Sequence, residues 1–417
     1  MVDHQPPRRA LVVGAGMVGL SVAWFLQDAG VEVTVLERHH PAAGASWGNA
    51  GWVSPGLAVP LPEPAVLRYG MRALLDPTGA LYVPPTLDPG LWAFLLRFAR
   101  NCTARRWREA MSGYLEINSG ALEAFDVLAA GGVVAETIRA PILAGFTDRD
   151  QAAGMRHELE LMARAGQPVE ADELDGDAAR KLLPQLSWRV GHAICLGGQR
   201  YLDPGAFASA LAESVRDRGG AIQTGYEVAA VRRSAGGKVR ASAPGLDPVD
   251  ADVAVLASGT WIGRLAAPFG VRVPVRAGRG YSFGVPTSAP VPCPAYFPVQ
   301  RVACTPYRGQ LRVGGTMELG DAASPANPTR IDALIASAEP LLSGVHWQAV
   351  HDTWVGSRPI TPDGLALIGA TTDPAVHVAG GHGMWGITLG PVTGRLLADQ
   401  IVTGRRRSAL AAFDPLR

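Results

Sequence analysis

Arg9-Ala-Leu-Val-Val-Gly14-Ala-Gly16-Met-Val-Gly19-Leu20 reads as a short apolar strand, a glycine turn and the start of a helix. The helical pattern runs to about Ala29, Gly30 stops it, and Val31-Glu-Val-Thr-Val-Leu36 alternates like a second strand. Glu37 follows 18 positions after Gly19. Together these parts make a complete βαβ dinucleotide-binding fingerprint. Gly14 permits the tight turn. Gly16 has no side chain, so a pyrophosphate can approach the backbone, and Gly19 lets helix and strand pack closely. The helix N-terminus offers unpaired N–H groups and about half a positive charge to the phosphates. The Glu37 carboxylate is suited to accept from ribose hydroxyls. A glycine turn alone would fit a strand–helix junction that binds nothing; with strand, helix and acid in register it points to FAD or NAD.

With 417 residues the chain can bury a large core, and its size fits two domains. Hydrophobic residues are 47% and charged residues 18%, which describes a globular chain and not a disordered one. A net charge of +1 gives no footing for nucleic acid. Arg405-Arg406-Arg407 reads as a solvated tail. Cys102, Cys195, Cys293 and Cys304 are scattered, and with the histidines they form no metal spacing, so a reduced, cytoplasmic setting without metal is expected. No apolar run reaches the ~18 residues of a spanning helix. Arg8-Arg9 before an apolar stretch imitates a signal peptide, but cleavage there would destroy the fingerprint. Peripheral contact with the inner face of a membrane stays open.

Past Glu37-Arg38, small residues dominate Gly44-Ala-Ser46-Trp-Gly-Asn49-Ala50-Gly51-Trp52-Val-Ser54-Pro55, so backbone can lie close to a ligand. Residues 56–90 are Pro-rich and loop-like; 91–130 turn helical, 133–150 look like strands and 151–165 like a helix. Asp203-Pro204 is an N-cap and first-turn pair for a helix ended by Gly219-Gly220. Ala221-Ile222, Glu227-Val228 and Val253–Ala257 read as strands, short β-runs fill 274–319, a polar helix fits 329–342, and a last helix spans about Val392 to Val402. The pattern is an α/β chain whose nucleotide-binding segments alternate with a β-rich α+β substrate domain. The expected division is 1–75, 195–270 and 352–417 against 76–194 and 271–351.

Only one GxGxxG is present, whereas a chain passing electrons from NADPH to flavin would carry two dinucleotide sites. One site means one tight cofactor reduced directly by substrate. Gly380-Gly381-His382-Gly383-Met384-Trp385-Gly386-Ile387-Thr388 before a helix tips the reading to flavin, because a helix N-terminus stabilises the negative charge of a reduced flavin ring.

These residues resemble the D-amino-acid oxidase superfamily of FAD enzymes, with the glutathione-reductase-like nucleotide fold, and most closely its bacterial D-amino acid dehydrogenases. Ser46-Trp-Gly-Asn49-Ala50-Gly51-Trp-Val-Ser54-Pro55 is similar to that family's Ser-x-x-Asn-Ala-Gly-x-x-Ser-Pro loop. Arg100-Asn-Cys-Thr-Ala104 echoes its helical region, and Gly280-Tyr281-Ser282 its Lys-Gly-Tyr-Ser strand, with Arg279 replacing Lys. Gly356-Ser-Arg358-Pro359-Ile-Thr361-Pro362-Asp363 resembles its Arg-Pro-Thr-Pro-Asp motif, and Gly381-His382-Gly383 and Leu396-Leu-Ala-Asp399 match its C-terminal end. Met384-Trp385-Gly386-Ile-Thr-Leu-Gly-Pro391 is bulkier than the usual stretch and puts the side-chain preference in doubt.

The resemblance implies FAD, and the lack of an attachment motif near the loops favours a non-covalent cofactor. The implied contacts run along Gly14, Ala15, Gly16, Met17, Val18 and Gly19, then Glu37 and Arg38. They continue over Ala45, Ser46, Asn49, Ala50, Gly51 and Trp52, and Val228 contacts adenine through backbone. Ala257, Gly259 and Trp261 follow, and the C-terminal turn adds Gly381, His382, Gly383, Met384, Gly386, Ile387 and Thr388.

The implied activity is oxidation of an amino acid at Cα, with hydride passing to flavin N5 and the imine hydrolysing to a 2-oxo acid and ammonia. Such a site needs a cation for the carboxylate, a dry flavin face and an amine able to lose its proton. Arg358 is the candidate cation, since a guanidinium fork matches a planar carboxylate; the competing reading pairs it with Asp363. Tyr281 either closes the pocket or hydrogen-bonds the carboxylate, or is a core aromatic. His382 either faces flavin and substrate or packs in its turn, and Trp52 and Trp385 are candidate walls. Three other readings stay open. They are a glycine, sarcosine or D-hydroxyproline oxidoreductase, an NAD-dependent dehydrogenase, and a flavin-holding electron-transfer protein without turnover. The electron acceptor is not legible and stays open between oxygen, a quinone and a protein.

Overall fold

The computed structural model describes residues 5–66, 76–234 and 236–417. β1 (Arg9–Val13), α1 (Met17–Asp28) and β2 (Glu32–Leu36) form the βαβ unit that the sequence predicts. The helical region resolves into α2 (Pro89–Asn101), α3 (Ala104–Ser119) and α4 (Ala121–Ala130). Arg100-Asn-Cys-Thr-Ala is the break between the first two: Thr103 caps α3 by accepting from Arg106 N, and Asn101 Nδ2 donates to the Pro362 carbonyl. β3 (Ile142–Phe146), α5 (Ala153–Ala165), β4 (Ala171–Asp175) and β5 (His192–Leu196) follow. α6 (Pro204–Asp217) begins where Asp203-Pro204 predicts, with the Asp203 carboxylate accepting from Ala206 N. Next come β6 (Ala221–Gln223), β7 (Val253–Leu256), β8 (Arg276–Val285), β9 (Ala295–Phe297), β10 (Val302–Tyr307) and β11 (Gln310–Gly320). The chain closes with α7 (Pro328–Ala338), β12 (His351–Ile360), β13 (Leu367–Ala370), β14 (Val376–Gly380) and α8 (Gly386–Thr403).

Some expectations shift. Glu227-Val228 is irregular, and a strand begins only at Ala230. β8 and β11 are 10 and 11 residues long where the sequence suggested short runs, because their glycines interrupt the apolar alternation. α8 starts at Gly386, six residues before Val392, and runs through Pro391; a proline reads as a helix start but is tolerated in this helix. The loop-like reading of 56–90 lies outside the described residues over 67–75.

A six-stranded sheet has the order β6-β2-β1-β7-β14-β13, parallel except for β13 against β14. Strand order reverses between β1 and β7, so the glycine turn sits at the crevice where doubly wound sheets bind ligands. α8 lies close on α1 because Gly390 and Gly394 have no side chains. A Cβ on Gly394 would stand 2.6 Å from the Ser21 backbone, and one on Gly390 2.8 Å from Met17 Cγ. The second sheet has the order β12-β8-β11-β10-β9-β3-β5-β4, with Leu81–Tyr82 beside β11. It is mostly antiparallel, and its apolar face packs on Leu183, Leu186, Leu334 and Leu341. β12 belongs to this larger sheet, so the division expected at residue 352 cuts through it.

Candidate active site

The glycine turn follows from sterics. Gly14 has φ +108°, and a Cβ there would stand 2.6 Å from the Ala257 carbonyl oxygen. One on Gly19 would stand 2.0 Å from the Gly14 carbonyl oxygen. Both sites therefore exclude any side chain. Glu37 braces the turn: its carboxylate accepts from Ala15 N at 2.8 Å and from His39 N at 3.0 Å. Ser46 Oγ accepts from Met17 N at 3.1 Å, so one N–H at the start of α1 is already engaged by the small-residue loop.

A groove of about 170 Å³ opens over this turn. Gly14, Gly16, Met17 and Val18 line it, with Glu37, Arg38, Ala45, Ser46 and Asn49. Val228, Ala257, Gly259 and Trp261 also line it, as do His382, Gly383, Gly386 and Ile387. The Arg38 guanidinium lies 3.6 Å from the centre of the Trp261 ring. A Cβ added at Gly44, Gly259 or Gly383 would meet no atom within 4 Å, so these glycines leave a cradle open along the groove. This cradle would suit an elongated nucleotide, with the glycine turn at the start of α1 offering its N–H groups to the phosphates. The lining also includes Tyr226, Ser258, Arg264 and Ser357, which sequence reasoning missed. Only the small-residue run Ala257-Ser258-Gly259 carried a signal for one of them.

Several expected contacts sit elsewhere. Ala50, Trp52 and Met384 line a second cavity. Ala15, Gly19, Gly51, Gly381 and Thr388 line neither cavity and build the walls. A Cβ on Gly51 would stand 2.1 Å from the Leu202 carbonyl oxygen, and one on Gly381 3.0 Å from Thr361 Cγ2. Thr388 Oγ1 donates to the Trp52 carbonyl at 2.9 Å and accepts from Ser54 N at 3.2 Å, stapling the loop to α8.

The second cavity, of about 450 Å³, shares Ala45, Asn49 and Arg358 with the groove. Arg358 stands at the junction. Its guanidinium lies over Gly280 of β8, where a Cβ would stand 2.2 Å away. Nη1 donates to the Thr316 carbonyl at 2.8 Å. Thr316 holds φ +56°, beside the bulge where the β8–β11 register shifts; a left-handed threonine is uncommon and strained. Among the described residues no carboxylate pairs with Arg358. The competing partner Asp363 is held by both arms of the Arg417 guanidinium, at 2.7 and 3.0 Å. Burial pushes the Arg358 guanidinium down to about 10, which leaves it a cation at neutral pH. Its partial exposure is towards the two cavities.

Trp52 and Trp385 stand in the wall of the second cavity. Trp52 Nε1 donates to Thr305 Oγ1 at 2.9 Å, and its ring meets Tyr296 edge-on at 5.5 Å. Trp385 Nε1 donates to the Val59 carbonyl at 2.8 Å. Their polar atoms are spent, so both present apolar surface.

Geometry narrows two roles, for Tyr281, which lines the second cavity, and His382, which lines the groove. Residues alternate across a strand, which turns the Tyr281 side chain to the sheet face opposite Gly280 and Arg358. Its hydroxyl donates to Glu318 Oε2 at 3.0 Å and accepts from Asn327 N at 3.3 Å, inside a buried network in which Arg279 pairs with Glu318 at 2.7 Å. The hydroxyl is thus committed away from a substrate carboxylate. His382 is buried, with Nε2 2.9 Å from Thr393 Oγ1 of α8. Burial pushes its imidazole down to about 4, so the ring is neutral at pH 7 and braces the glycine turn against α8.

A family profile described as "FAD dependent oxidoreductase" (DAO) matches residues 9–400. A D-amino acid dehydrogenase of Azorhizobium caulinodans is 30% identical over 406 residues, covering 95% of this chain and 96% of that one. One from Rhodopseudomonas palustris is 31% identical over 404 residues, covering 94% of each. The solved glycine oxidase of Geobacillus kaustophilus superposes with a TM-score of 0.74 at 21% identity over 99% of both chains, a likeness of fold.

Proposed function

Because the chain belongs to the DAO family of FAD-dependent oxidoreductases, we propose that it oxidises a D-amino acid at Cα to an imine, which water converts to a 2-oxo acid and ammonia. The D configuration is taken from the relatives named D-amino acid dehydrogenase. When bound, FAD supplies the acceptor for the Cα hydride and its two electrons. The glycine turn, Glu37, the Ala45–Asn49 loop and the Gly383–Ile387 turn would hold it.

The observation that carries the reading is Arg358, a cation without a carboxylate partner among the described residues, where the groove meets the larger cavity. A planar guanidinium grips a substrate carboxylate with two parallel hydrogen bonds and fixes Cα relative to the groove. Thr316 holds the guanidinium from behind through its carbonyl. Trp52 and Trp385 exclude water from the reacting face. The substrate amine enters as the free base, and no histidine cation is needed to assist. A glycine or sarcosine oxidoreductase would leave most of the 450 Å³ unfilled, which favours a substrate with a side chain.

The test is to mix the purified yellow protein anaerobically with D- and L-amino acids, glycine, sarcosine and D-hydroxyproline. Bleaching by D-isomers alone is expected; bleaching by none of them would end the amino acid reading.

For the acceptor side we favour contact with an anionic membrane surface. No helix among the described residues is long and apolar enough to cross a membrane. The exposed Trp92 and Leu96 of α2 stand beside exposed Arg97 and Arg100, and Trp92 also lines the cavity. Co-sedimentation with anionic vesicles should fall in Trp92→Ser/Leu96→Ser; unchanged sedimentation would remove this surface.

A further inference from the structure

Resting on the amino acid reading, we infer that the cavity selects a substrate whose side chain ends in a cation, held by the carboxylates of Glu63 and Glu158. Both residues line the cavity together with Tyr296 and Arg301. Glu158 comes from α5, and Glu63 from the loop that follows the Trp385-bonded residue Val59. Among the described residues no hydrogen bond or ion pair holds either carboxylate; each meets its neighbours only through space. Enclosed carboxylates are ordinarily paired. Two of them share one wall, and no described residue donates to either.

Arg301 pulls on both acids through space and fills the place of a cation only in part. Its residue is exposed, and its guanidinium hydrogen-bonds the Tyr296 side chain. With both acids ionised, two negative charges face the one positive charge of Arg301, so the described residues give the wall a net negative charge.

The spacing suits one extended substrate. Arg358 stands on β12 and reaches over β8 to the Thr316 carbonyl of β11. Tyr296 lies on β9, and Arg301 immediately precedes β10. One to two strand spacings, ~5–10 Å, therefore separate the guanidinium from the acidic wall. A lysine or arginine side chain covers that interval. Its methylenes would lie against Leu57, Met155 and Trp385, which also line the cavity. The α-carboxylate would take Arg358 and the terminal cation the two acids.

Protonation gives an internal check. Burial, and then the neighbouring Glu63, push the Glu158 carboxyl up to about 7. Burial also raises Glu63, against the pull of Arg301 and His157. The groups facing the pair are Arg301, Tyr296, His157 and, beside Glu63, Cys102. The pair thus holds a proton below neutrality and loses it above, while a lysine ammonium stays charged to about pH 10.

The test compares kcat/KM for D-lysine and D-norleucine, which lacks only the terminal amine, using an artificial dye as acceptor. At pH 8 the ratio should favour D-lysine by at least about tenfold. It should shrink severalfold below pH 6, where Glu158 is protonated; α-amine ionisation affects both substrates alike and cancels. Glu63→Gln and Glu158→Gln should each lower the ratio about tenfold. If Glu158→Gln does not fold, Glu63→Gln and the pH profile of the unaltered protein carry the test. A ratio near or below one at pH 8, or one that neither variant moves, overturns the inference while leaving D-amino acid oxidation standing. If neither reduces the flavin while another D-amino acid does, this inference fails and the parent reading stands; if no D-amino acid does, both fall.

Discussion

Replacing Arg358 should separate catalysis from stability in opposite directions. In Arg358→Ala the substrate carboxylate would enter an enclosed site without its cation. Losing one partner of such a buried charge pair costs about 2–5 kcal/mol, or roughly 30- to several-thousand-fold in kcat/KM. The loss should fall on kcat as well as KM, because the fork also fixes the direction of the Cα–H bond. Arg358→Lys should recover only part, since an ammonium cannot present two parallel donors. The folded protein, meanwhile, bears a cost at this position. Burial lowers the guanidinium well below its ordinary range, to about 10, with no carboxylate among the described residues to offset it. At ~1.4 kcal/mol per pKa unit this is of order 3 kcal/mol, and solvent in the cavities reduces it. Arg358→Met should therefore match or exceed the parent in denaturant resistance while losing turnover. Steady-state kinetics and urea melts on the FAD-loaded protein read both effects. Unchanged kcat/KM in Arg358→Ala, or a methionine variant that loses stability along with FAD, would refute the assignment.

Gly14→Ala and Gly19→Ala drive a methyl into backbone oxygens at 2.6 and 2.0 Å; both should purify colourless, and a yellow stoichiometric protein would contradict the role of the turn. Tyr281→Phe strips a hydroxyl from the buried Glu318 and should cost about 1–3 kcal/mol in urea melts with little change in kcat/KM; a large kinetic loss at unchanged stability would return Tyr281 to the site. His382 has a folded-state value of about 4, below its ordinary 6.5. Only the unfolded chain binds that proton between these values, so stability should fall by up to ~3 kcal/mol as pH drops from 6.5 to 4. His382→Gln should flatten that slope, and an unchanged slope would show that the ring is already accessible to protons.

The nucleotide-binding unit was legible because its signals are local. Gly14, Gly19 and Glu37 act within one βαβ turn, and Asp203-Pro204 announces α6 at its own first turn. Arg358 was reached through a motif resemblance, and only the fold shows that Asp363 is taken by Arg417 from 54 positions away. Tyr281 was placed only in part. It lines the cavity, but strand alternation sends its hydroxyl to the face opposite Arg358, and the sequence does not say which face that is. Glu63 and Glu158 carried no signal at all, being isolated acids in a loop and a helix that converge only in the folded chain.

The glycines of β8 explain why this sheet, and not a flexible loop, carries the cation. Arg276-Ala-Gly278-Arg-Gly280-Tyr-Ser282-Phe-Gly284-Val alternates small residues on one face with large ones on the other. The small face lets side chains of β12 lie flat across it. A Cβ would stand 2.2 Å from Ile360 Cδ1 at Gly278, 2.2 Å from the Arg358 guanidinium at Gly280 and 2.6 Å from the His351 ring at Gly284. The large face carries Arg279, Tyr281 and Phe283 into the sheet's packed side, where the Arg279–Glu318 pair locks β8 to β11. Packing on one face thus holds rigid the strand over which Arg358 must lie on the other. A side chain placed on a sheet in this way needs little reordering to receive a carboxylate, so its binding energy goes to orientation. The same β8–β11 pairing contains the bulge that turns the Thr316 carbonyl to Arg358. The strain at Thr316 and the unpaired charge at Arg358 are therefore two parts of one arrangement, stabilised by the buried ion pair behind them.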